Sequence, residues 1–381
     1  MAINNDCSKS VESVTFPDIA WRGKLRRQLL NWFRRNARDL PWRDAPTPYQ
    51  TWISEIMLQQ TQVGTVVKYY QRFLKRFPDV QTLATATEQE VLRYWEGLGY
   101  YRRARQLHLA AKTIMTNHGG CFPTTFPEVL ALPGIGRYTA GAILSISLGL
   151  RHPIVEANTI RLFARLLHVS TEVTAKQTQN LFWEFATWIL PHKHLADFNQ
   201  ALMEVGSLIC TPKSPVCGKC PLRTLCPTVV SQAFDKIPKP KQKTKFEQVQ
   251  EVAVVVRHRD GQRVLLRQCQ ANQRWAGLWD FPRFECDIKC SQELTKSEQQ
   301  QITQGTHDLA CVQIGDLNPL TSIKHGVTKY RITLNCYSAK LKRDQTAKNS
   351  TLQWVSLNEL DNYPLSTTGR KICAVLNREH A

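Results

Sequence analysis

Between Cys210 and Cys226 the sequence reads CTPKSPVCGKCPLRTLC, four thiols in seventeen residues at the spacing C-x6-C-x2-C-x5-C. Thiols that crowded serve as a disulfide knot, a zinc site or an iron–sulfur site. The opening stretch, MAINNDCSKSVESVTF, has no basic segment followed by an apolar run, so it does not read as a secretory signal. Twelve cysteines without such a signal point to a reducing compartment, where clustered thiols are metal ligands more often than disulfides. Structural zinc sites more often pair two C-x2-C knuckles across a longer gap, and only Cys217–Cys220 forms such a pair here. The spacing of Cys210, Cys217, Cys220 and Cys226 therefore favours a [4Fe–4S] cluster, which takes four cysteines, while leaving zinc open. Cys269, Cys286, Cys290, Cys311, Cys336 and Cys373 form no second pattern and read as free or buried thiols. A second candidate group is acidic. Glu55 stands in the apolar run Trp52, Ile53, Ile56, Met57 and Leu58, where burial would raise its pKa and suit it to donate a proton.

The elements that must hold these groups are helical from Trp21 to about Pro227. WRGKLRRQLLNWFRRN sets Leu25, Leu29, Trp32 and Phe33 on one face and arginines on the other. VGTVVKYYQRFLKRF, EQEVLRYWEGL, ARQLHLAAKTIM and NLFWEFATWIL repeat the pattern, joined by short Pro- or Gly-bearing connections. At ALPGIGRYTAGAILSISLG (131–149), the glycines Gly134 and Gly136 allow a tight turn before a helix starting near Arg137. Its amides would then face outward at the positive end of the helix dipole, where a phosphate can sit. The turn looks like the hairpin of a helix–hairpin–helix DNA-binding motif. The charge agrees: 50 Lys+Arg against 31 Asp+Glu give a net +19, a field that recruits polyanions. Apolar stretches stop short of the roughly 18–20 residues a membrane span needs. The expectation is a soluble monomer, cytoplasmic and associated with the bacterial nucleoid.

After FDKIPKPKQKTKFEQ (234–248), which reads as an exposed basic linker, the composition changes. EVAVVVRHRDGQRVLLRQC reads as a β-hairpin, YRITLNCYSAKL and LQWVSLNEL as further strands, and STTGRKICAVLNRE as a helix. The expected fold class is thus multidomain: an all-α domain with the hairpin and a [4Fe–4S] loop, then a small α+β domain. The boundaries are a flexible N-terminus at 1–20, a helical domain at 21–230, a linker at 231–248 and the α+β domain at 249–381.

A hairpin of this kind, followed about seventy residues later by this cysteine spacing, resembles the iron–sulfur DNA glycosylases of the endonuclease III superfamily. TWISEIMLQQTQVGTVVKYYQRF (51–73), WEGLGYYRRARQL (95–107) and FNQALMEVGSLIC (198–210) narrow the likeness to the MutY-type adenine glycosylases. WAGLWDFPRFE (275–285) resembles the start of their Nudix-like domain. The resemblance implies a catalyst that flips adenine out of 8-oxoguanine:A or G:A mispairs in double-stranded DNA and cuts its bond to the sugar. It implies Glu55 as the acid that protonates adenine, and Gln59, Gln60 and Thr61 as part of a loop wedged into DNA, with Gln60 intercalating. Tyr100 would wedge beside 8-oxoguanine. The cluster would organise a loop touching phosphates, with Lys213, Lys219 and Arg223 fitting that task, and would take no part in the chemistry.

Two-carboxylate logic requires a partner that stabilises the oxocarbenium-like sugar. In PIVEANTIRLFARLL (153–167) the family places an aspartate where this chain has Glu156, whereas Asn158 and Arg161 match. The extra methylene could shift the carboxylate by about 1 Å, a displacement that can cost about 10²-fold in rate. Tyr138 stands where bifunctional relatives carry a nucleophilic lysine, so base release without an efficient lyase step is expected. In the second domain, CSQELTKSEQQQITQGTHDL lacks the Arg-Glu-x-x-Glu-Glu core of a magnesium-binding Nudix helix. The family's Phe-Ser-His-type reading loop is replaced by Val327-Thr328-Lys329, in which Thr328 keeps a hydroxyl and Lys329 could meet phosphate. Those departures keep two alternatives in view: a glycosylase of the same fold with another base specificity, and a non-catalytic mismatch binder.

Overall fold

In a computed structural model of the chain, residues 14–44, 46–240, 245–286, 288, 294–344 and 351–379 are described. They divide into two compact units, one formed by 14–84 with 109–240 and the other by 85–108 with 245–379. In chain order the helices are α1 (Ile19–Asn36), α2 (Pro48–Leu58), α3 (Val63–Arg76), α4 (Val80–Thr85), α5 (Glu88–Trp95), α6 (Arg102–Asn117), α7 (Phe126–Ala131), α8 (Arg137–Ser147), α9 (Ala157–Leu166), α10 (Lys176–Ile189), α11 (Leu195–Leu208) and α12 (Pro227–Ser231).

The first unit is helical, as the apolar periodicity requires. On α1 the buried side chains are Leu25, Leu29 and Phe33, one helical face, and Asp18 caps the first turn through Trp21 N at 2.7 Å. They join Phe163, Phe182, Phe185, Phe198 and Leu202 in one core. α2 is different: eight of its eleven residues are buried, all the way round, so a carboxylate on it has no open water to turn to. Within the stretches read as N-terminus and linker, some described residues are packed: the Phe16 ring lies 5.4 Å from Phe185 and 5.5 Å from Trp188, and Ile237, 2% exposed, belongs to the same core. Positions 241–244 of the linker lie outside the described residues.

The second unit is built on a mixed sheet, with strands β1 (Glu247–Arg257), β2 (Arg263–Gln268), β3 (Trp279–Asp280), β4 (Arg283–Glu285), β5 (Val312–Ile314), β6 (Asn318–Val327), β7 (Tyr330–Asp344) and β8 (Leu352–Ser356). The central order is β3-β2-β1-β7-β5; β1 and β7 run parallel, with Val252 opposite Asn335, and the other pairs are antiparallel. The hairpin read at Arg259–Gln262 is present, with Arg257 opposite Val264. Side chains alternate faces along a strand. Val252, Val254 and Val256 thus face α13 (Lys296–Ala310), while Ala253 and Val255 face α14 (Thr367–Glu379). Being buried on both faces is why β1 reads as an unbroken apolar run. Among the described residues no helix is long and apolar enough to cross a membrane.

Candidate active site

Glu55 lies on the buried side of α2, 5% exposed. Its carboxylate accepts a hydrogen bond from the Tyr138 hydroxyl, which also lies 3.3 Å from Met203 Sδ on α11. Burial pushes the Glu55 pKa up to about 7; the Tyr138 bond opposes the rise, the negative charge of Glu156 adds to it, and Arg43 opposes it. Burial, reinforced by Glu55 and Glu156, holds the Tyr138 phenol well above its ordinary range. The phenol therefore stays neutral and donates. Glu55, Tyr138 and Glu156 thus form one electrostatic group from α2, α8 and the start of α9.

Glu156 is the N-cap residue of α9. Its Oε2 accepts from Asn158 N (2.9 Å) and Nδ2 (3.2 Å), its Oε1 from Thr159 N (2.9 Å), and Thr159 Oγ1 accepts in return from Glu156 N (2.8 Å). This capping box, anchored at the positive end of the helix, fixes the longer side chain. Burial nevertheless raises the Glu156 pKa above the usual carboxylate range, opposed by the Asn158 and Thr159 amides.

Arg161 is half-buried and engaged within the protein. Its guanidinium donates to Cys210 O (2.6 Å), Gly206 O (2.6 Å) and Asn158 Oδ1 (2.8 Å), tying α9 to the end of α11 and fixing the Asn158 amide. Gly206 is required at that contact: a Cβ there would meet Asn158 Cβ at 2.7 Å. Two buried charges escaped the sequence reading. Glu204, 1% exposed, takes bidentate bonds from Arg38 and Arg43, which hold its pKa down to about 2 against burial. Arg165, also 1% exposed, donates to Ile237 O (2.9 Å), Thr211 O (2.8 Å), Phe234 O (3.2 Å) and Pro212 O (3.3 Å), and to Cys210 Sγ (3.2 Å). Its signal was an arginine inside LFARLL, on an otherwise apolar face.

Cys210, Cys217, Cys220 and Cys226 line one pocket with Arg165, Leu162, Leu222 and Phe234. Among the described residues, no three or more His, Cys, Asp or Glu side chains close on one point as metal ligands. Burial, opposed by the Leu222 amide and reinforced by the other three thiols, pushes the Cys220 thiol up to about 12, so Cys220 lies within electrostatic reach of the other three sulfurs. Four thiols facing one apolar pocket, with a buried guanidinium beside them, suit an anionic thiolate-bound cluster in donor type and number. Lys213, Lys219 and Arg223 on the same loop are exposed.

The turn residues adopt the conformations their tasks would need. Gln60 is exposed in the left-handed region (φ 56°), between α2 and α3; Gln59 caps α2, and Thr61 Oγ1 donates to Gln59 O at 3.3 Å. In the hairpin Gly134 has φ 77° and Gly136 is the N-cap of α8 without a side-chain cap, both exposed, while Leu132 and Ile135 are buried anchors. The first amides of α8 are thus open to an anion.

In the second unit Tyr100 is 52% exposed with φ 49°. Thr328 is exposed at the β6–β7 turn (φ 51°), its hydroxyl donating to Val327 O at 2.8 Å. Lys329 pairs with Glu247 at 2.8 Å, both side chains about half exposed. α13 carries one glutamate, Glu298, which accepts from Thr295 N and Oγ1 in a capping box. Positions 290–293, the start of the stretch read against the Nudix motif, lie outside the described residues.

Two family models match the chain. One, an HhH-GPD superfamily base excision DNA repair protein, matches residues 53–187, and the other, a NUDIX domain, matches 252–375. An adenine DNA glycosylase of Buchnera aphidicola subsp. Schizaphis graminum is 38% identical over 71% of this chain and 78% of its own length. Another, from Buchnera aphidicola subsp. Baizongia pistaciae, is 32% identical over 92% of this chain and 96% of its own. Among solved structures, a thermostable thymine-DNA glycosylase matches with a TM-score of 0.52 and 30% identity, covering 56% of this chain and 98% of that one. With Glu55 buried against Tyr138, an open hairpin before α8 and relatives matched across both units, this chain belongs to the adenine DNA glycosylase family of the HhH-GPD superfamily.

Proposed function

We propose that this adenine DNA glycosylase of base excision repair acts on adenine mispaired with 8-oxoguanine or guanine, and releases the base without cutting the strand. The observation that carries the reading is the buried Glu55, its pKa near 7, bonded to a neutral Tyr138 and within the field of Glu156. Near neutral pH a large share of Glu55 is protonated. It gives that proton to a ring nitrogen of the flipped adenine as the bond to the sugar breaks, and the bonding pair leaves with the base. The cationic sugar is stabilised by the Glu156 carboxylate, held in place by the amides of α9. Water then adds to the sugar carbon, and Glu55, now a carboxylate, accepts its proton. Tyr138 orients Glu55 and has no amine to form a Schiff base. Gln60 and Tyr100, exposed in left-handed turns, serve as wedges, the amides of α8 receive a phosphate, and Thr328 offers its hydroxyl to the lesion strand. Cys210, Cys217, Cys220 and Cys226 would hold a [4Fe–4S] cluster that cross-links the loop bearing Lys213, Lys219 and Arg223.

Single-turnover adenine release from duplexes with one 8-oxoguanine:A, G:A or T:A pair tests this. Fast release from the two mispairs alone is expected, with Glu156→Gln slowed by about 10²-fold. Tight binding without release would indicate a binder, release of another base would reassign the specificity, and borohydride trapping of an enzyme–DNA adduct would contradict the role of Tyr138.

A further inference from the structure

α5 and the loop that follows it fall within the stretch matched by the HhH-GPD model, yet residues 85–108 cluster with the C-terminal unit. Several ties within that unit hold α5, and in its last turn Arg93 Nε donates to Asp361 O at 2.5 Å while Arg93 Nη1 lies 3.6 Å from Glu96 Oε2. At its start, Gln89 Nε2 donates to Gly277 O at 2.9 Å, and Trp279 Nε1 donates to Gln89 Oε1 at 3.0 Å. At its end stands Glu96, the C-cap residue, whose side chain is 9% exposed. Both Glu96 oxygens are taken by the C-terminal chain: Arg370 Nε donates to Oε1, and Oε2 accepts from Arg370 Nη2 at 3.0 Å and from Leu365 N at 3.2 Å. Arg370 Nη1 is itself fixed by Leu360 O and Asp361 Oδ1, each at 2.9 Å. The fork-on-carboxylate geometry fixes direction as well as distance.

Four residues beyond Glu96 comes Tyr100. The connection runs through Gly97 (φ 94°) and Gly99 (φ 73°) and ends with Tyr100 at φ 49°. A non-glycine residue in that region is strained by about 1–3 kcal/mol and persists only where its surroundings over-determine it. The surroundings of Tyr100 are visible: Trp95 Nε1, at the end of α5, donates to Gly99 O at 3.2 Å, Arg103 Nη2 donates to the same oxygen at 3.1 Å, and the Arg103 guanidinium lies 5.5 Å from the centre of the Tyr100 ring. Gly97 N donates to the Tyr101 hydroxyl at 3.2 Å and Leu98 is buried, while the Glu96 carboxylate ties the entry of the loop to the C-terminal chain.

We propose that Arg370 is a positioning residue for Tyr100. By clamping Glu96 it fixes the entry of the loop, so that the C-terminal helix α14 sets the pose in which the ring is presented to the lesion strand. Arg370 touches no substrate. The inference rests on the reading of Tyr100 as a wedge given above.

The test is a double-mutant cycle on the full-length protein. The probe is a duplex with 8-oxoguanine opposite 2′-fluoro-2′-deoxyadenosine, which resists cleavage, and with 2-aminopurine beside the 8-oxoguanine to report unstacking. Dissociation constant and fluorescence rise are read for wild type, Tyr100→Ala, Arg370→Gln and the double variant. Arg370→Gln is expected to weaken binding about 10-fold and damp the fluorescence rise, yet to add nothing once Tyr100 is gone, because the two act as one unit. An equal further loss in the Tyr100→Ala background would make Arg370 a general scaffold residue and overturn the inference, as would wild-type binding by Arg370→Gln. Wild-type binding by Tyr100→Ala alone would instead remove the wedge reading. If Arg370→Gln does not fold, Glu96→Gln, which keeps an acceptor for Leu365 N and loses the charge, carries the same cycle.

Discussion

Glu55 shows how one carboxyl group is fitted to its task by its neighbours. Its folded pKa of about 7 lies above the 4.5 of an ordinary glutamate. Folding therefore favours the protonated form: the contribution to stability is complete below about pH 4.5 and is lost as the pH rises through about 7. Glu55→Gln should match the wild type in urea unfolding at pH 4 and exceed it at pH 8 by about 3 kcal/mol, while losing adenine release. No gain at pH 8 would mean that Glu55 is not desolvated. The wild-type rate should fall above about pH 7 as the acid is lost. Tyr138→Phe removes a bond that lowers the Glu55 pKa, so the alkaline limb of its pH–rate profile should move upward. The burial of Glu55 was legible because its neighbours in sequence are apolar; the partners of Arg161 were not, because Gly206 and Cys210 are distant in sequence.

Short-range order in the elements is set by caps and turns, of which the glycine turn before α8 was legible in the sequence and the Glu156 cap of α9 was not. α8 starts at Arg137, directly after the paired glycines, and α9 starts at the capping box of Glu156 and Thr159. The cysteine loop is organised differently, around one buried cation. Arg165→Met would leave four carbonyl acceptors without their donor, so it should cost at least about 3 kcal/mol in urea unfolding and lower the iron-to-protein ratio. Normal stability with normal iron content would show that the cysteines order the loop unaided. The apolar run LFARLL marks Arg165 as buried but not what it bonds, since its partners at 210–212 and 234–237 are reached only through the fold.

The whole molecule carries a net charge of +19, and phosphate binding by such a surface releases counterions. Affinity for an undamaged duplex should fall about 10³-fold between 50 and 200 mM salt, measured by fluorescence anisotropy. A flat salt response would argue that the charge is not directed at DNA. The two units have separate cores, helical in one and sheet-based in the other: the first is recovered from its 3.6-residue periodicity, the second from continuous apolar runs such as β1.

By itself the sequence determined the all-α and α+β classes, the hairpin, the four thiols and the carboxylate in an apolar run. These are properties of neighbouring residues, written in spacing and composition. Only the tertiary structure decided that Tyr138 bonds Glu55, that Glu156 is held by its own helix, that Arg161 and Arg165 serve the protein's own carbonyls, and that Glu96 is clamped by Arg370. Each is a contact between residues far apart in sequence or a choice among several possible partners. Buried polar groups must find partners wherever the chain brings them, and that placement has no local signature.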